Sequence, residues 1–177
     1  VSAKVRLGFS DKAFHLEIAR AADEAGAAWL TVHARTRDEG YRPPAHWEYI
    51  ARMREAVSMT VIANGEIWCR EDYDRAREIS GCRHVMIGRG LLSDPGLARE
   101  IKGLGPKAPW EEALGWYEAY VRESFESKGE IFATARAKQW MKNLGRRYDL
   151  AKTTFEETKR LERSAEILET ARTLCHN

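Results

Sequence analysis

Between residues 1 and 105 the chain repeats one arrangement four times: a short β-branched or apolar run, a polar turn, then apolar positions at helical spacing. The strand runs are residues 3–7, 29–33, 60–63 and 85–87, separated by roughly the 30 residues of a βαβ unit. The helical pattern is clearest after the first strand, where Phe14, Ile18, Ala21, Ala22 and Ala25 share a face. Ser10 or Asp11 stands where a cap is expected, and Gly26 where the helix should stop. Helices near residues 46–56 and 70–79 follow the same plan. Strands alternating with helices predict a parallel sheet, either open and doubly wound or part of a (β/α)8 barrel. After "GLGPKAP" the strand signal ends: Trp110, Leu114, Tyr117, Val121 and Phe125 form one apolar stripe, Gly129 interrupts, and further helices follow. The expected organisation is an α/β unit over residues 1–105 and an all-helical domain over 110–177.

Composition changes this picture little. With 177 residues, 44% of them hydrophobic, the chain can bury a real core. Its 29 basic and 27 acidic side chains nearly cancel, so only a local cluster could attract a polyanion. No apolar run approaches the ~18 residues of a membrane helix, and no signal-peptide layout opens the chain, which makes a cytoplasmic protein the expectation. Cys69, Cys82 and Cys175 form neither a CxxC pair nor a metal-ligand spacing, and read as reduced thiols with no metal site.

Parallel α/β folds build their sites from the carboxyl ends of the strands. On the first strand Ala3, Val5 and Leu7 alternate with Ser2, Lys4 and Arg6, so in a barrel Lys4 would point inward, whereas on an edge strand it would face solvent. "WLTVH" ends on His33, on the same face as Thr31; a lone histidine there is first of all a hydrogen-bonded structural residue. The third strand runs into Asn64, Gly65 and Glu66. Asn-Gly is a hairpin signal, but the next strand lies beyond a helix, so the polar ending points to a ligand instead. "MIGRGLL" places Gly88 and Gly90 around Arg89 at a strand-to-helix turn, where backbone N–H groups, a helix N-terminus and a guanidinium could together grip a phosphate. Its weight comes from coinciding with Lys4, His33 and Asn64 at the other three strand ends.

Two further stretches carry charge. The connection "ARTRDEGYRPPAHW", residues 34–47, is long and brings Arg35, Arg37 and Arg42 beside Tyr41; loops of this size at a barrel's top face are usually functional. From Ile131 to Tyr148 there are five positive side chains and no acid. A helix over residues 133–147 would gather Ala133, Ala137, Trp140, Met141 and Leu144 on one side. Arg136, Lys138, Gln139, Lys142, Asn143, Arg146 and Arg147 would occupy the other, a face of cations and amides suited to phosphates.

Taken in order, "KVRLG", "TVHARTRDEGY", "VIANGEI" and "VMIGRGLL" resemble the flavin-site segments of the tRNA-dihydrouridine synthases, and the resemblance extends over essentially the whole chain. "ARAKQWMKNL", residues 135–144, resembles the bacterial C-type subfamily, which acts on the uridine at tRNA position sixteen. The resemblance implies an FMN enzyme that uses NADPH to reduce a D-loop uridine. It implies that Lys4, His33, Asn64, Gly65, Glu66, Gly88 and Arg89 hold FMN, and that Arg136 and Lys138 meet tRNA; the cationic helix face adds Lys142 and Asn143 to the expected RNA contacts, and the 34–47 loop adds Arg35. It also implies that the chain is the C-terminal half of a (β/α)8 TIM barrel followed by the helical domain, with the proton-donating cysteine upstream of Val1. The complete enzyme is then expected to be monomeric, and this piece alone inactive and, with open sheet edges, prone to self-association. Two alternatives stand beside it: a barrel enzyme acting on a phosphorylated small metabolite, and a non-catalytic RNA-binding fragment.

Overall fold

The computed structural model describes residues 1–175. It begins β1 (Ala3–Arg6), α1 (His15–Glu24), β2 (Trp29–His33), α2 (Trp47–Glu55), β3 (Thr60–Asn64), α3 (Arg70–Ser80) and β4 (His84–Met86). The strands form one parallel sheet in the order β1-β2-β3-β4. Sequence neighbours are thus sheet neighbours, as in successive βα units of a barrel, and no reversal of strand order occurs among them.

Alternation along the strands explains where the core lies. Val5 and Leu7, Leu30 and Val32, Val61 and Ala63, and Val85 join one cluster with Ala19, Ile50, Met53 and Ala76 of the helices. The opposite face follows from the register, which aligns Arg6 with His33, His33 with Asn64, and Asn64 with Met86. One sheet face is therefore aliphatic and packed, and the other carries nearly all the polar strand residues.

Local chemistry shifts some boundaries. β1 closes at Arg6, and β4 spans His84–Met86. Helix α1 starts at His15, because the Asp11 carboxylate instead accepts the N–H of Ala13 in a local turn (2.9 Å). Its buried residues are His15 and Ala19, while Phe14 remains 67% exposed. Helix α3 ends as expected of a glycine stop, with Gly81 in the left-handed region (φ 65°).

Contacts divide the chain into two compact units, the first from Val1 to Gly88 and the second from Arg89 onward. The second contains α4 (Arg89–Ser93), α5 (Leu97–Ile101), α6 (Trp110–Lys128), α7 (Glu130–Leu144), α8 (Asp149–Thr158) and α9 (Ser164–Cys175). The sequence places the boundary in the 105–110 linker, yet α4 and α5 belong with the helices. The Trp140 indole N–H donates to the Leu92 carbonyl (2.8 Å), Arg99 makes two bonds to Glu112 (3.0 Å each), and Arg147 pairs with Asp94 (3.1 Å). Leu114, Tyr117, Val121, Ala137, Met141, Leu144, Ile167 and Ala171 form the core, each large aliphatic member contributing about 1.5–3 kcal/mol by burial. Tyr117 and Tyr148 satisfy their hydroxyls on the carbonyls of Ala137 and Ala108 (3.3 and 3.0 Å); burial raises both phenols, Tyr148 to about 12. The Phe125 end of the predicted stripe is 49% exposed. Gly129 (φ 77°) separates α6 from α7, and the Glu130 carboxylate accepts the Ser164 N–H at the start of α9.

Candidate functional site

The parallel register brings three of the expected strand-end residues together. Lys4 Nζ donates to Asn64 Oδ1 across β2 (3.3 Å), and Asn64 Nδ2 donates to the Met86 carbonyl (2.8 Å). The Asn64 amide is thus oriented from both sides, its oxygen towards the ammonium and its nitrogen on the next strand. Lys4 lies on the exposed side of the sheet, with its pKa below the ordinary lysine range, first through loss of solvent and then through the charge of Arg6. His33, aligned with Asn64 on the neighbouring strand, is buried.

Gly65 explains how His33 sits there. It has φ 120°, and a Cβ on it would stand 3.0 Å from His33 Cδ2 and 3.3 Å from Nε2. Only glycine allows both the backbone turn and the ring's approach. Glu66 follows with φ 57°, an uncommon conformation for a residue with a side chain. Its carboxylate accepts from the Arg35 guanidinium and from the Trp68 indole N–H (3.0 Å), while the Trp47 indole N–H donates to the Gly65 carbonyl (3.0 Å). The side chain of Glu66, expected to hold a cofactor, is therefore occupied in fixing this turn.

Arg35 requires a correction. Expected to meet RNA, it is fully buried, bound to Glu66 and donating through Nε to the Pro44 carbonyl (3.2 Å). A guanidinium inside the protein and neutralised by a carboxylate has no surface to offer a phosphate. The rest of the 34–47 loop is likewise held. The N–H groups of Arg37 and Asp38 donate to the carbonyls of Gly8 and Phe9 (3.0 Å each), and Arg37 stacks on Phe9 (4.6 Å). Arg42 donates to the Asp38 carbonyl (2.8 Å).

Arg6, not singled out from the sequence, organises this loop. One guanidinium nitrogen donates to the carbonyls of Thr36 and Gly40 (2.9 Å each), and the group lies over the Tyr41 ring (5.5 Å). Tyr41 is 60% exposed, with its ring 5.9 Å from that of His33. The available signal was the alternation that puts Arg6 on the same face as Lys4. Within the loop Glu39 is bound by Lys12, by the Thr36 N–H (2.7 Å) and by His46 (3.2 Å). Burial alone would raise this carboxyl, but the Lys12 and Thr36 hydrogen bonds and the Lys12 and His46 charges outweigh it and bring it to about 2.

The other expected residues lie elsewhere. Gly88 is exposed, with nothing within 4 Å of an added Cβ, so no neighbour in the chain demands glycine there. Arg89 opens α4 and belongs to the second unit. On α7, Arg136, Lys138, Lys142 and Asn143 carry side chains clear of the buried Ala133, Ala137, Met141 and Leu144. Among the described residues no ion pair engages Arg136, Lys138 or Lys142. Arg147 departs from the predicted face: α7 ends at Leu144, and Arg147 turns to Asp94, whose side chain is 1% exposed.

The model of the family described as dihydrouridine synthase (Dus) matches residues 1–175. The chain belongs to the dihydrouridine synthase family. It is 42% identical over 168 residues to a tRNA-dihydrouridine(16) synthase of Shewanella oneidensis, covering 95% of this chain and 53% of that protein. It is 45% identical over 172 residues to the protein of that name from Ralstonia nicotianae, with the same coverage of each. The Cupriavidus necator protein of that name is 44% identical over 171 residues, covering 94% of this chain and 53% of its own length. The chain thus spans about half the length of the curated relatives it matches. Among the described residues no helix is long and apolar enough to cross a membrane.

Proposed function

We propose that the chain is part of an FMN-dependent tRNA-dihydrouridine synthase that uses NADPH to reduce the uridine at position sixteen, its α/β unit being half of a TIM barrel. The observation that carries this reading is the meeting of Lys4, His33, Asn64 and Gly65 at one end of a parallel sheet, on the face turned away from the helices. These residues fit a flavin: an exposed ammonium, an amide held in one orientation, and an imidazole seated against a glycine turn. When bound, FMN supplies the hydride. Lys4 provides positive charge, Asn64 Oδ1 positions that charge, and the Gly65–Glu66 turn, fixed by Arg35 and Trp68, is assigned with Gly88 to the ribityl phosphate. Of the cysteines, Cys82 packs in the first core and Cys175 against the second, and burial first of all raises the Cys69 thiol to about 11. We assign none of them as the proton donor and place that group outside this chain. Arg136, Lys138, Lys142 and Asn143 are assigned to tRNA, and the cytoplasm, where tRNA is modified, is the assigned compartment.

Flavin titration tests the reading. FMN added to the chain, or to the protein extended to the length of its relatives, should lose fluorescence on binding. Lys4→Ala and Asn64→Ala should each weaken binding about tenfold, as loss of a charge-assisted contact would. Failure of the extended protein to bind any flavin sinks the proposal; if it still bound tRNA, the non-catalytic reading would replace it.

A further inference from the structure

Two grooves flank the same pair of amides on α7. One, of about 320 Å³, is lined by Leu92, Tyr120, Arg136 and Trp140 together with Gln139 and Asn143. The other, of about 460 Å³, takes Lys142, Arg146 and Lys152 with Phe155 and Glu156, and shares Gln139 and Asn143. Both lie within the second unit.

Their chemistries are opposite. In the first groove Tyr120, 38% exposed, stands edge-on to Trp140 (5.0 Å, 87°), and Leu92 is 45% exposed. The Trp140 N–H is already used on Leu92, so the indole brings apolar surface. Beside them the Nε–H of Arg136 is buried with no acceptor among the described residues, although a buried donor ordinarily has one. The second groove sets three cations against Glu156, and Lys159 already pairs with that carboxylate. Gly145 builds it: a Cβ there would stand 3.2 Å from Lys152 Cα and 3.3 Å from its N, so glycine lets the start of α8 close against the end of α7.

An aromatic and apolar platform, amide side chains, then a row of cations is the order in which an unstacked base, its edge and its phosphates would be met. Each groove lies in the size range of sites for small groups. We propose that the two grooves form a dock for one unstacked nucleotide of an RNA strand, the base against Leu92, Tyr120 and Trp140, the flanking phosphates among Lys142, Arg146 and Lys152. This rests on the reading that the helical unit binds RNA, and it adds a base site and one cation, Lys152, to it.

The test is fluorescence anisotropy of a labelled tRNA transcript against the chain over a range of potassium chloride concentrations. Tyr120→Ala should weaken binding about tenfold with the salt slope unchanged, because stacking releases no counterions. Tyr120→Phe should restore it. Lys152→Ala should lower the slope by about 0.7–0.9, one phosphate contact. Lys138→Ala, outside both grooves, serves as the reference for the general cationic face. If Tyr120→Ala and Lys152→Ala bind like the parent while Lys138→Ala loses slope, the dock is wrong and RNA binding stands. If the parent shows no salt-dependent binding, both fall. Displacement of the RNA by poly-glutamate as readily as by unlabelled tRNA would mean that the grooves read charge alone, and would also overturn the dock.

Discussion

The 34–47 loop of the first unit and helix α7 of the second use their cations in opposite ways. In the first, the arginines of the 34–47 loop are turned inward, onto their own loop or onto the one after β1: Arg35 is fully buried on Glu66, Arg42 holds the Asp38 carbonyl, and Arg37 lies on Phe9. In the second, α7 holds Lys138 and Lys142 out from the core with no ion pair among the described residues. A cation sealed against a carboxylate fixes geometry, whereas one left in solvent keeps its charge for a partner. The first arrangement shapes a turn at the end of β3; the second leaves a surface that a polyanion can approach.

The contrast makes its largest claim at Glu66. Glu66→Ala leaves the buried Arg35 guanidinium without its carboxylate and should cost about 3–5 kcal/mol of stability by denaturant unfolding. A loss below about 1 kcal/mol would break the comparison, showing Arg35 to be solvated after all. Arg147 sharpens it from the other side, since it lies in the basic stretch of the second unit yet pairs with the buried Asp94. Arg147→Ala should lower stability by about 2 kcal/mol, while Lys142→Ala, on the exposed face, should stay within about 0.5 kcal/mol. Equal effects in thermal melts would erase the distinction between paired and presented cations.

The smallest effect concerns Glu39. Its folded pKa of about 2 lies below the ordinary 4.5, so the pairing with Lys12 stabilises the fold above about pH 4.5 and fades as pH falls towards 2. The melting-temperature gap between the parent and Glu39→Gln should be full at pH 6 and narrow on acidification. Solvent screening keeps it to less than about 1 kcal/mol. A gap that widens in acid would reverse the assigned sign.

Much of the first unit was legible because strand alternation and helical spacing are local. The β-branched runs gave the strands to within a residue or two, and the polar residues after them marked the strand-end cluster. Helix starts were less legible: Asp11 caps a turn, not α1, because an Asx turn and an N-cap look alike in sequence. The boundary near 105–110 also misled, since a Gly-Pro linker reads the same whether the preceding short helices pack backward or forward; α4 and α5 join the second unit through Trp140, Glu112 and Arg147.

The sequence alone determined the periodicities, the order of strands and helices, the motifs that mark the family, and the absence of acids from Ile131 to Tyr148. It could not say which charges are consumed internally. Arg35 meets Glu66 across 31 positions, Arg147 meets Asp94 across 53, and Lys4 meets Asn64 across 60. Only the tertiary structure decides such pairs, because a charge's role depends on what the fold brings within a few ångströms and how much water it leaves there.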